Sequence, residues 1–423
     1  MKKAKKGYKL VKSLYGKYEE IPEEWDLKKL EAVTEKIFVG IATSTTKHFV
    51  PQGIPLLRNQ NIKEGFIDTK ELLHISKEFA TANKSKQLNE GDVICIRTGY
   101  PGQSAVVISE MNGWQTFTTL IIRPLKKTLD SQFLSVFLNS DLGKRQVLSA
   151  QIGTAQQNLN AGSLSKMCIS IPDINEQRKI VSVFSNVDSL INQTEKEIEL
   201  TQKLKKGLMQ KLLTRGIGHE KFKKVESLYG KFEEIPKNWE LTRSQDIFTI
   251  TMGQSPPSEN YNRECNGLPF YQGVTDFGDI YPQPTVWCTN PQRIAKKDEV
   301  LFSVRAPVGE TNITRNACCL GRGVASLNPK NNDLFYVYYL VTYNKKRFSV
   351  FSQGITYDAI NRNEIANTKL PFTTNKIEQQ KIGLILSNID SKILEHKTCK
   401  SNLKTLKKGL MQKLLTGQIR VKI

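Results

Sequence analysis

The sequence is poor in the residues that build metal sites and disulfide frameworks. It has four histidines and seven cysteines, and no Cys-x-x-Cys pair occurs. An odd number of cysteines without paired spacing argues against a zinc site and against a disulfide scaffold, and it favours a reducing cytoplasm. We therefore expect a cytoplasmic protein that uses no metal and no other cofactor.

Long apolar runs are also missing. A helix that crosses a bilayer needs about 18 or more consecutive apolar residues, and no such stretch occurs. The basic start, MKKAKKGYKLVKSLYG, is not followed by the apolar segment of a signal peptide. The sequence thus predicts neither a membrane span nor a signal peptide.

Motifs of catalysis are absent as well. No Asn/Asp-Pro-Pro-Tyr/Phe methyltransferase motif is present, since Ser-Pro-Pro-Ser at Ser255 lacks both flanking residue types. The chain also has no GxxxxGK[ST] loop, the motif that binds ATP. The stretch PDINEQRK is similar to a metal-nuclease motif, but Glu176 is followed by Gln-Arg. Asp173 and Glu176 fit a capping box at a helix start better. We expect no enzymatic activity from this chain alone.

Acidic residues are scarce relative to basic ones. The chain has 62 Lys and Arg against 41 Asp and Glu, a formal charge of +21 over 423 residues. Such an excess opposes compaction by self-repulsion unless a polyanion neutralises it. The charge favours a nucleic-acid partner, although a merely soluble basic protein is an alternative. The length predicts two or three domains.

What the sequence does contain is a long internal repeat. LKKGLMQKLLT occurs at Leu204–Thr214 and, unchanged, at Leu406–Thr416. KSLYGKYEEIPEEWDL returns as ESLYGKFEEIPKNWEL, and INEQRKIVSVFSNVDSLI returns as KIEQQKIGLILSNIDSKI. Joining the end of the chain to its start nearly reproduces the middle junction. We therefore expect the two termini to lie near each other, with each half completing the other.

The repeat divides the chain into four segments. Two variable blocks at 1–173 and 216–374 alternate with two helical segments at 174–215 and 375–423. Both blocks contain a strand, a Gly-rich turn and a second strand, as in EGDVICIRTGYPGQSAVVI and KDEVLFSVRAPVGETNI. The blocks share this frame, but the polar residues in the turns differ. That pattern is expected of two domains that bind different sequences.

The helical segments have the three-and-four spacing of a coiled-coil seam. The first seam comprises Ile180, Phe184, Val187, Ile191, Thr194, Ile198 and Thr201. The second comprises Ile382, Leu386, Ile389, Ile393, His396, Lys400 and Leu403. We predict an α+β protein in which two mixed α/β domains are separated by two long antiparallel helices with pseudo-twofold symmetry. Gly207 and Gly409 mark either a close approach of two backbones or a hinge.

The repeated segments resemble those of the specificity subunits of type I DNA restriction-modification systems. The resemblance rests on the twin LKKGLMQKLLT, on EIPxxW at Glu20–Trp25 and Glu234–Trp239, and on NEQRKI and IEQQKI at the helix starts. It covers essentially the whole chain, and the arrangement of the repeats is highly specific.

The resemblance implies a function for each segment. Each block would be a target-recognition domain that reads one half of a bipartite, asymmetric double-stranded DNA site. The helices would set the number of unread base pairs between the halves and dock two methyltransferase subunits. Those subunits would bind S-adenosylmethionine and methylate adenine at N6, and motor-nuclease subunits are possible further partners that cut unmodified DNA. The specificity subunit itself would catalyse nothing.

Candidate DNA-reading residues are polar side chains held at strand ends and in turns. In the first block they are Arg58, Asn59, Gln60, Asn61, Arg97, Thr98, Tyr100 and Gln103. In the second block they are Tyr271, Gln272, Thr275, Arg305, Arg322 and, with less support, Tyr357. Gln156–Asn160 and Asn361 are weaker candidates too. Each could instead be structural, because arginines pair with carboxylates and asparagines cap turns.

Two other classes of function remain open from the residues. An RNA-binding protein would use the same charge but should cluster its aromatic residues for base stacking, whereas here they are spread along the chain. A coiled-coil scaffold would need no variable domains. Co-expression with the chromosomal neighbours separates these classes, because only a DNA-specificity subunit should make a methyltransferase site-specific.

Overall fold

In a computed structural model of the chain, both variable blocks consist of short strands and helices, and one long helix follows each block. The structure describes residues 4–12, 18–151, 158–226, 232–349 and 359–422. The helices are α1 (Lys77–Ala82), α2 (Ser131–Asn139), α3 (Asp141–Gln151), α4 (Ala161–Ser165), α5 (Ile174–Arg215), α6 (Ser244–Ile247), α7 (Leu334–Tyr343), α8 (Lys345–Ser349), α9 (Arg362–Asn367) and α10 (Lys376–Leu414).

The strands repeat in order from one half of the chain to the other. The first half has β1 (Tyr8–Lys12), β2 (Tyr18–Pro22), β3 (Asp26–Lys29), β4 (Thr34–Val39), β5 (Phe49–Leu57), β6 (Ile62–Lys63), β7 (Phe66–Ile67), β8 (Leu73–Ile75), β9 (Val93–Cys95), β10 (Ser104–Val106), β11 (Gln115–Thr116), β12 (Leu120–Pro124) and β13 (Cys168–Ile171). The second half has β14 (Phe222–Glu226), β15 (Phe232–Pro236), β16 (Glu240–Arg243), β17 (Thr249–Met252), β18 (Tyr261–Asn262), β19 (Leu268–Tyr271), β20 (Trp287–Cys288), β21 (Ile294–Ala295), β22 (Val300–Ser303), β23 (Thr311–Ile313), β24 (Cys318–Leu320), β25 (Val324–Asn328) and β26 (Lys369–Phe372).

The chain forms two compact units, and both long helices contribute to each of them. The first unit is Met1–Thr194 with Cys399–Ile423, and the second unit is Glu195–Thr398. The expectation that the chain ends lie together is confirmed within the first unit. There the Tyr8 hydroxyl donates a hydrogen bond to the carbonyl of Gly417 at 2.8 Å. The unit boundaries fall inside α5 and α10, not at the ends of these helices.

Each unit builds its core on one antiparallel sheet of four strands. In the first unit the order is β10-β9-β12-β4, and in the second it is β17-β25-β22-β23. Alternate residues of the central strands, such as Leu120 and Ile122 of β12, face α2 and are fully buried. The predicted α+β class and the internal repeat of the fold are confirmed.

A second sheet in each unit contains one parallel pair. Strands β5 and β11 run parallel in the first unit, and β19 and β24 do so in the second. Parallel strands point their carboxyl ends to the same edge of a sheet, so the residues that follow them become neighbours. In the second unit this pairing places two candidate DNA-reading residues side by side, Gln272 after β19 and Arg322 after β24.

The long helices pair in opposite directions within the second unit. Lys205 of α5 lies 2.6 Å from Asp390 of α10, and Glu197 lies 3.3 Å from His396. The earlier residue of α5 thus meets the later residue of α10. Of the predicted seam in α5, Ile180 and Phe184 lie in the core of the first unit, and Val187 and Ile191 are also buried. Among the described residues, no helix has the length and apolar character needed to cross a bilayer.

The glycines of the two LKKGLMQKLLT copies, Gly207 and Gly409, do not mark a close approach inside this chain. A Cβ atom added at Gly207 or Gly409 would meet nothing within 4 Å, and both residues lie within unbroken helices. The interpretation of these glycines as a site of intramolecular helix contact is therefore wrong. Alanine would fit in either place.

A buried glutamate near the start of each long helix bonds to residues of one unit, Glu176 of α5 in the first unit and Glu378 of α10 in the second. In the first unit, Glu176 accepts a hydrogen bond from the indole of Trp25 at 3.1 Å and from the guanidinium of Arg420 at 2.6 Å. Arg420 also reaches Glu24 at 2.8 Å. The capping-box role predicted for Glu176 is therefore wrong, because the carboxylate binds Trp25 and Arg420 and not the backbone of Asp173.

The second unit repeats this arrangement with one change. Glu378 accepts hydrogen bonds from the Trp239 indole at 3.1 Å and from the backbone N–H of Ile217 at 3.0 Å. His219 stands where the first unit has Arg420, with Nε2 2.8 Å from the carboxylate. Burial opposes ionisation of Glu378, but these hydrogen bonds outweigh it and lower its pKa. His219 of the middle junction and Arg420 near the chain end thus each bond the buried glutamate of their unit.

Candidate nucleic-acid interface

Two predicted groups of polar residues meet at one edge of the first unit. Arg58 and Asn59 directly follow β5, and Arg97 and Thr98 follow β9. The Asn59 side-chain amide donates to the Thr98 hydroxyl at 3.1 Å, so segments 39 residues apart are in contact. The ends of two strands from different sheets thus bring together side chains that are well separated in the sequence.

The arginines at this edge are not neutralised by acidic residues. Among the described residues, arginine ion pairs with carboxylates involve Arg123, Arg215, Arg347 and Arg420. Neither Arg58 nor Arg97 is in such a pair. The Nε atoms of Arg58 and Arg97 and the Oδ1 atom of Asn59 are shielded from solvent without a hydrogen-bond partner in the described part of the chain. Unsatisfied buried polar atoms are uncommon and favour a site that a ligand completes.

The side chains of two first-unit candidates make hydrogen bonds to the backbone within the unit. Asn61 is 3% exposed, and its side chain bonds the backbone of Arg58, Asp68 and Glu71 at 3.0–3.1 Å. Gln103 donates to the carbonyl of Ile62 at 3.0 Å. We no longer expect Asn61 to contact DNA, because all its polar atoms are used within the loop. Gln60 and Tyr100 are exposed, and Tyr100 is 78% exposed.

Three of the second-unit candidates line one depression. Its volume is about 370 Å³. The residues that line it are Ser255, Pro256, Ser258, Tyr261, Gln272, Arg305, Arg322 and Gly323. Gln272, Arg305 and Arg322 come from three separate segments and are all exposed. As in the first unit, neither of these arginines has a carboxylate partner among the described residues.

The parallel pair β19–β24 explains why Gln272 and Arg322 meet. Gly321 N–H donates to the carbonyl of Tyr271 at 2.8 Å, so the chain after β24 passes beside the chain after β19. A Cβ atom at Gly323 would lie 2.1 Å from the carbonyl oxygen of Gln272. Only glycine permits so close an approach of two backbones. Arg322, between the two glycines, is thereby held next to Gln272.

The remaining second-unit candidates behave differently. Tyr271 is 5% exposed and belongs to the core, where burial raises the pKa of its hydroxyl, so its predicted contact with DNA is wrong. Thr275 is exposed but does not line the depression. Tyr357 lies outside the described residues, as do Gln156 and Gln157.

Two of the weaker candidates, Asn160 and Asn361, are capping residues. Asn160 accepts a hydrogen bond from the N–H of Ser163 at 2.7 Å at the start of α4. Asn361 accepts one from the N–H of Glu364 at 3.0 Å at the start of α9. These amides satisfy the first turns of short helices, which is the structural role that asparagine often has.

The polar wall of the depression was not predicted from the sequence. Tyr261 donates from its hydroxyl to the carbonyl of Pro256 at 2.6 Å, and the Ser255 hydroxyl accepts from the N–H of Arg322 at 3.1 Å. Burial raises the pKa of the Tyr261 hydroxyl. The segment SPPSENY was considered only as a failed catalytic motif, and no local signal indicates that it packs beside Arg322.

The two units together contain the pattern of a known family. The family model of the type I restriction modification DNA specificity domain matches the chain twice, over residues 22–202 and 236–405. The chain belongs to this family. The two matched segments contain the strand ends with unpaired arginines in the first and second units.

Relatives of this specificity-family chain extend over nearly its full length. It is 32% identical over 420 residues to a putative type I restriction enzyme MjaX specificity subunit of Methanocaldococcus jannaschii, covering 95% of both chains. A chain solved in work on complex assembly and conformational transition of the type I R-M system is 27% identical, with a TM-score of 0.60 over 94% of this chain and 99% of that one. The type I S subunit of M. genitalium, 18% identical, has the same fold with a TM-score of 0.58 over 94% and 96%.

Proposed function

We propose that the chain is the non-catalytic specificity subunit of a restriction-modification complex and that its two units read the two halves of one bipartite, asymmetric DNA site. The observation that supports this most strongly is the pair of strand edges with unpaired arginines, one in each unit. Arginine binds guanine edges and phosphates, so an edge of this kind suits duplex DNA.

The two edges differ in the residues they offer. The first presents Arg58, Asn59 and Arg97, whereas the second presents Gln272, Arg305 and Arg322 around a depression. Because donor and acceptor patterns decide which base pair is bound, we expect the two half-sites to differ in sequence. Gln60, Thr98, Tyr100, Gln103 and Thr275 remain proposed contacts to bases or phosphates, with Gln103 favoured least.

We further propose that the helices α5 and α10 set the number of unread base pairs between the half-sites. The segments 1–173 and 216–374 would then carry recognition, and 174–215 and 375–423 would carry spacing and docking. A pair of long helices with a buried apolar seam is stiff, which a fixed spacing requires. We place this activity in the cytoplasm, where unpaired cysteines such as the seven of this chain persist.

The partners that we propose are two methyltransferase subunits, with motor-nuclease subunits as possible further partners. Each copy of LKKGLMQKLLT presents the same exposed face, in which Leu204 and Leu406 are 55% and 51% exposed. Gly207 and Gly409 lie on this face with open space beside them. Exposed leucines and glycines contribute little to the stability of the fold. Because both copies have the same residues at these positions, we expect that each copy binds one molecule of the same kind of partner.

The proposal is tested by co-expressing the chain with its chromosomal neighbours and mapping modified adenines by long-read sequencing. We expect one bipartite motif with a constant gap, and we expect it to disappear when this chain is omitted. Methylation that is unaffected by its omission would refute the proposal. Purification of the chain with bound RNA and without any partner would favour an RNA-binding protein instead.

Alanine at both Gly207 and Gly409 should distinguish the contribution of these residues to stability from their contribution to binding of the methyltransferase subunit. We expect Gly207→Ala with Gly409→Ala to raise the free energy of unfolding of the isolated chain by about 1 kcal/mol per site, because alanine is the better helix former and space is open. The same variant should bind the methyltransferase subunit more weakly in a pull-down or titration. Lys203→Ala is the control, because the exposed Lys203 is Thr405 in the second copy. Unchanged docking of the glycine variant would exclude this face as the interface.

A further inference from the structure

The three polar residues of the second-unit depression are held on one fixed backbone framework. Val304 N–H donates to the carbonyl of Gly323 at 3.0 Å, which ties the segment of Arg305 to that of Arg322. Arg322 N–H donates to Ser255, and Gln272 N–H donates to the Asp276 carboxylate at 2.6 Å. Each side chain therefore starts from a position set by backbone hydrogen bonds.

Such a fixed framework suits the reading of bases more than the binding of phosphates. A lysine or arginine on a free loop is enough to attract a phosphate, because a charge interaction needs little geometry. A base edge must instead meet donors and acceptors at defined positions. The close packing of Gly323 on Gln272 fixes those positions to a degree that charge attraction alone does not need.

The chemistry of the three side chains points the same way. Gln272 is neutral and attracts a phosphate less than an arginine does, whereas its amide matches the N6 and N7 atoms of adenine. The two guanidinium groups match the O6 and N7 atoms of guanine, and in the described residues no carboxylate competes for them. Tyr261, stacked on Phe270 at 4.6 Å, forms a firm wall beside them.

We propose that the half-site read by the second unit contains two G·C pairs, whose guanines are bound by Arg305 and Arg322, and one A·T pair, whose adenine is bound by Gln272. This inference rests on the proposed function and adds the base identities to it. The first unit reads its own half-site independently.

The test uses the complete methyltransferase assembly with the full-length chain. Methylated adenines are mapped by long-read sequencing for the wild type, Arg322→Ala, Arg322→Lys and Gln272→Ala, and DNA binding is titrated at several salt concentrations. We expect Arg322→Ala to open one G·C position to other bases, with discrimination there falling about 5- to 150-fold. Gln272→Ala should open one A·T position. Arg293→Ala is the matched control, because Arg293 is exposed in the same unit but does not line the depression.

The half-site read by the first unit serves as an internal control for assembly. It should keep its sequence in all four variants. The inference is overturned if the wild-type half-site lacks guanine. It is also overturned if Arg322→Ala weakens binding to all sequences equally, lowers the slope of log K against log salt by about one, and is rescued by Arg322→Lys without any change of motif, because Arg322 then contacts a phosphate. If the wild-type assembly yields no bipartite motif, the proposed function itself fails, and that result is distinct from the others.

Discussion

Trp239→Ala will lower the free energy of unfolding of the second unit by about 3–5 kcal/mol, the loss typical of a large side chain removed from a core. Trp239 is 0% exposed, and its indole donates to Glu378 at 3.1 Å. The substitution therefore leaves a cavity and removes one hydrogen bond from a buried carboxylate. Urea denaturation followed by circular dichroism measures the loss.

Trp239→Phe separates the two contributions. Phenylalanine keeps most of the packing but cannot donate to Glu378, so we expect a loss of about 1–3 kcal/mol. If Trp239→Phe costs as much as Trp239→Ala, the hydrogen bond and not the buried volume dominates. A loss below about 1 kcal/mol for Trp239→Ala would contradict an anchoring role for the EIPxxW motif.

Arg420→Ala will destabilise the first unit by about 3 kcal/mol, although it lies close to the end of the chain. Glu176 is 1% exposed and would keep only the indole of Trp25 as a partner. We expect the low end of the range for broken buried pairs, because the Arg420 side chain is 38% exposed and water can partly replace it. Thermal and urea denaturation measure the change.

A second substitution tests whether uncompensated charge is the cause. Glu176→Gln combined with Arg420→Ala removes the buried charge and should cost less than Arg420→Ala alone. Lys422→Ala, an exposed residue of the same tail, should change stability by less than about 0.5 kcal/mol. Equal losses for Arg420→Ala and Lys422→Ala would mean that the tail acts by its general charge.

The sequence predicted the exposure of candidate residues correctly where they follow a strand, but not where a side chain within a strand points inward. Arg58, Arg97, Arg305 and Arg322 lie exposed or half-exposed at the expected edges. Tyr271 belongs to the same segment as Gln272 but faces the core, since successive residues of a strand point to opposite sides. A shift of one residue along a strand exchanges the buried and the exposed side chains. The sequence pattern does not define the position of the strand to within one residue.

Other features depended on contacts between distant segments. Glu176 was expected to cap its own helix because a capping box is a local pattern. Its true partners, Trp25 and Arg420, lie 151 and 244 residues away. Local patterns contain no information about such distances, although the repeated Trp and Glu in both copies were visible.

The sequence alone determined the duplication, the class of fold, the two long helices and their seam, because repeats and helical periodicity are properties of neighbouring residues. Only the tertiary structure decided which polar residues share an edge. Asn59 meets Thr98 although they follow strands of two different sheets, and the parallel pair β19–β24 brings Arg322 beside Gln272. It also decided that Gly207 and Gly409 face open space while Gly323 packs on Gln272. These differences arise from how strands and helices pack in three dimensions. In the sequence, a glycine in open space and a glycine packed against another backbone cannot be distinguished.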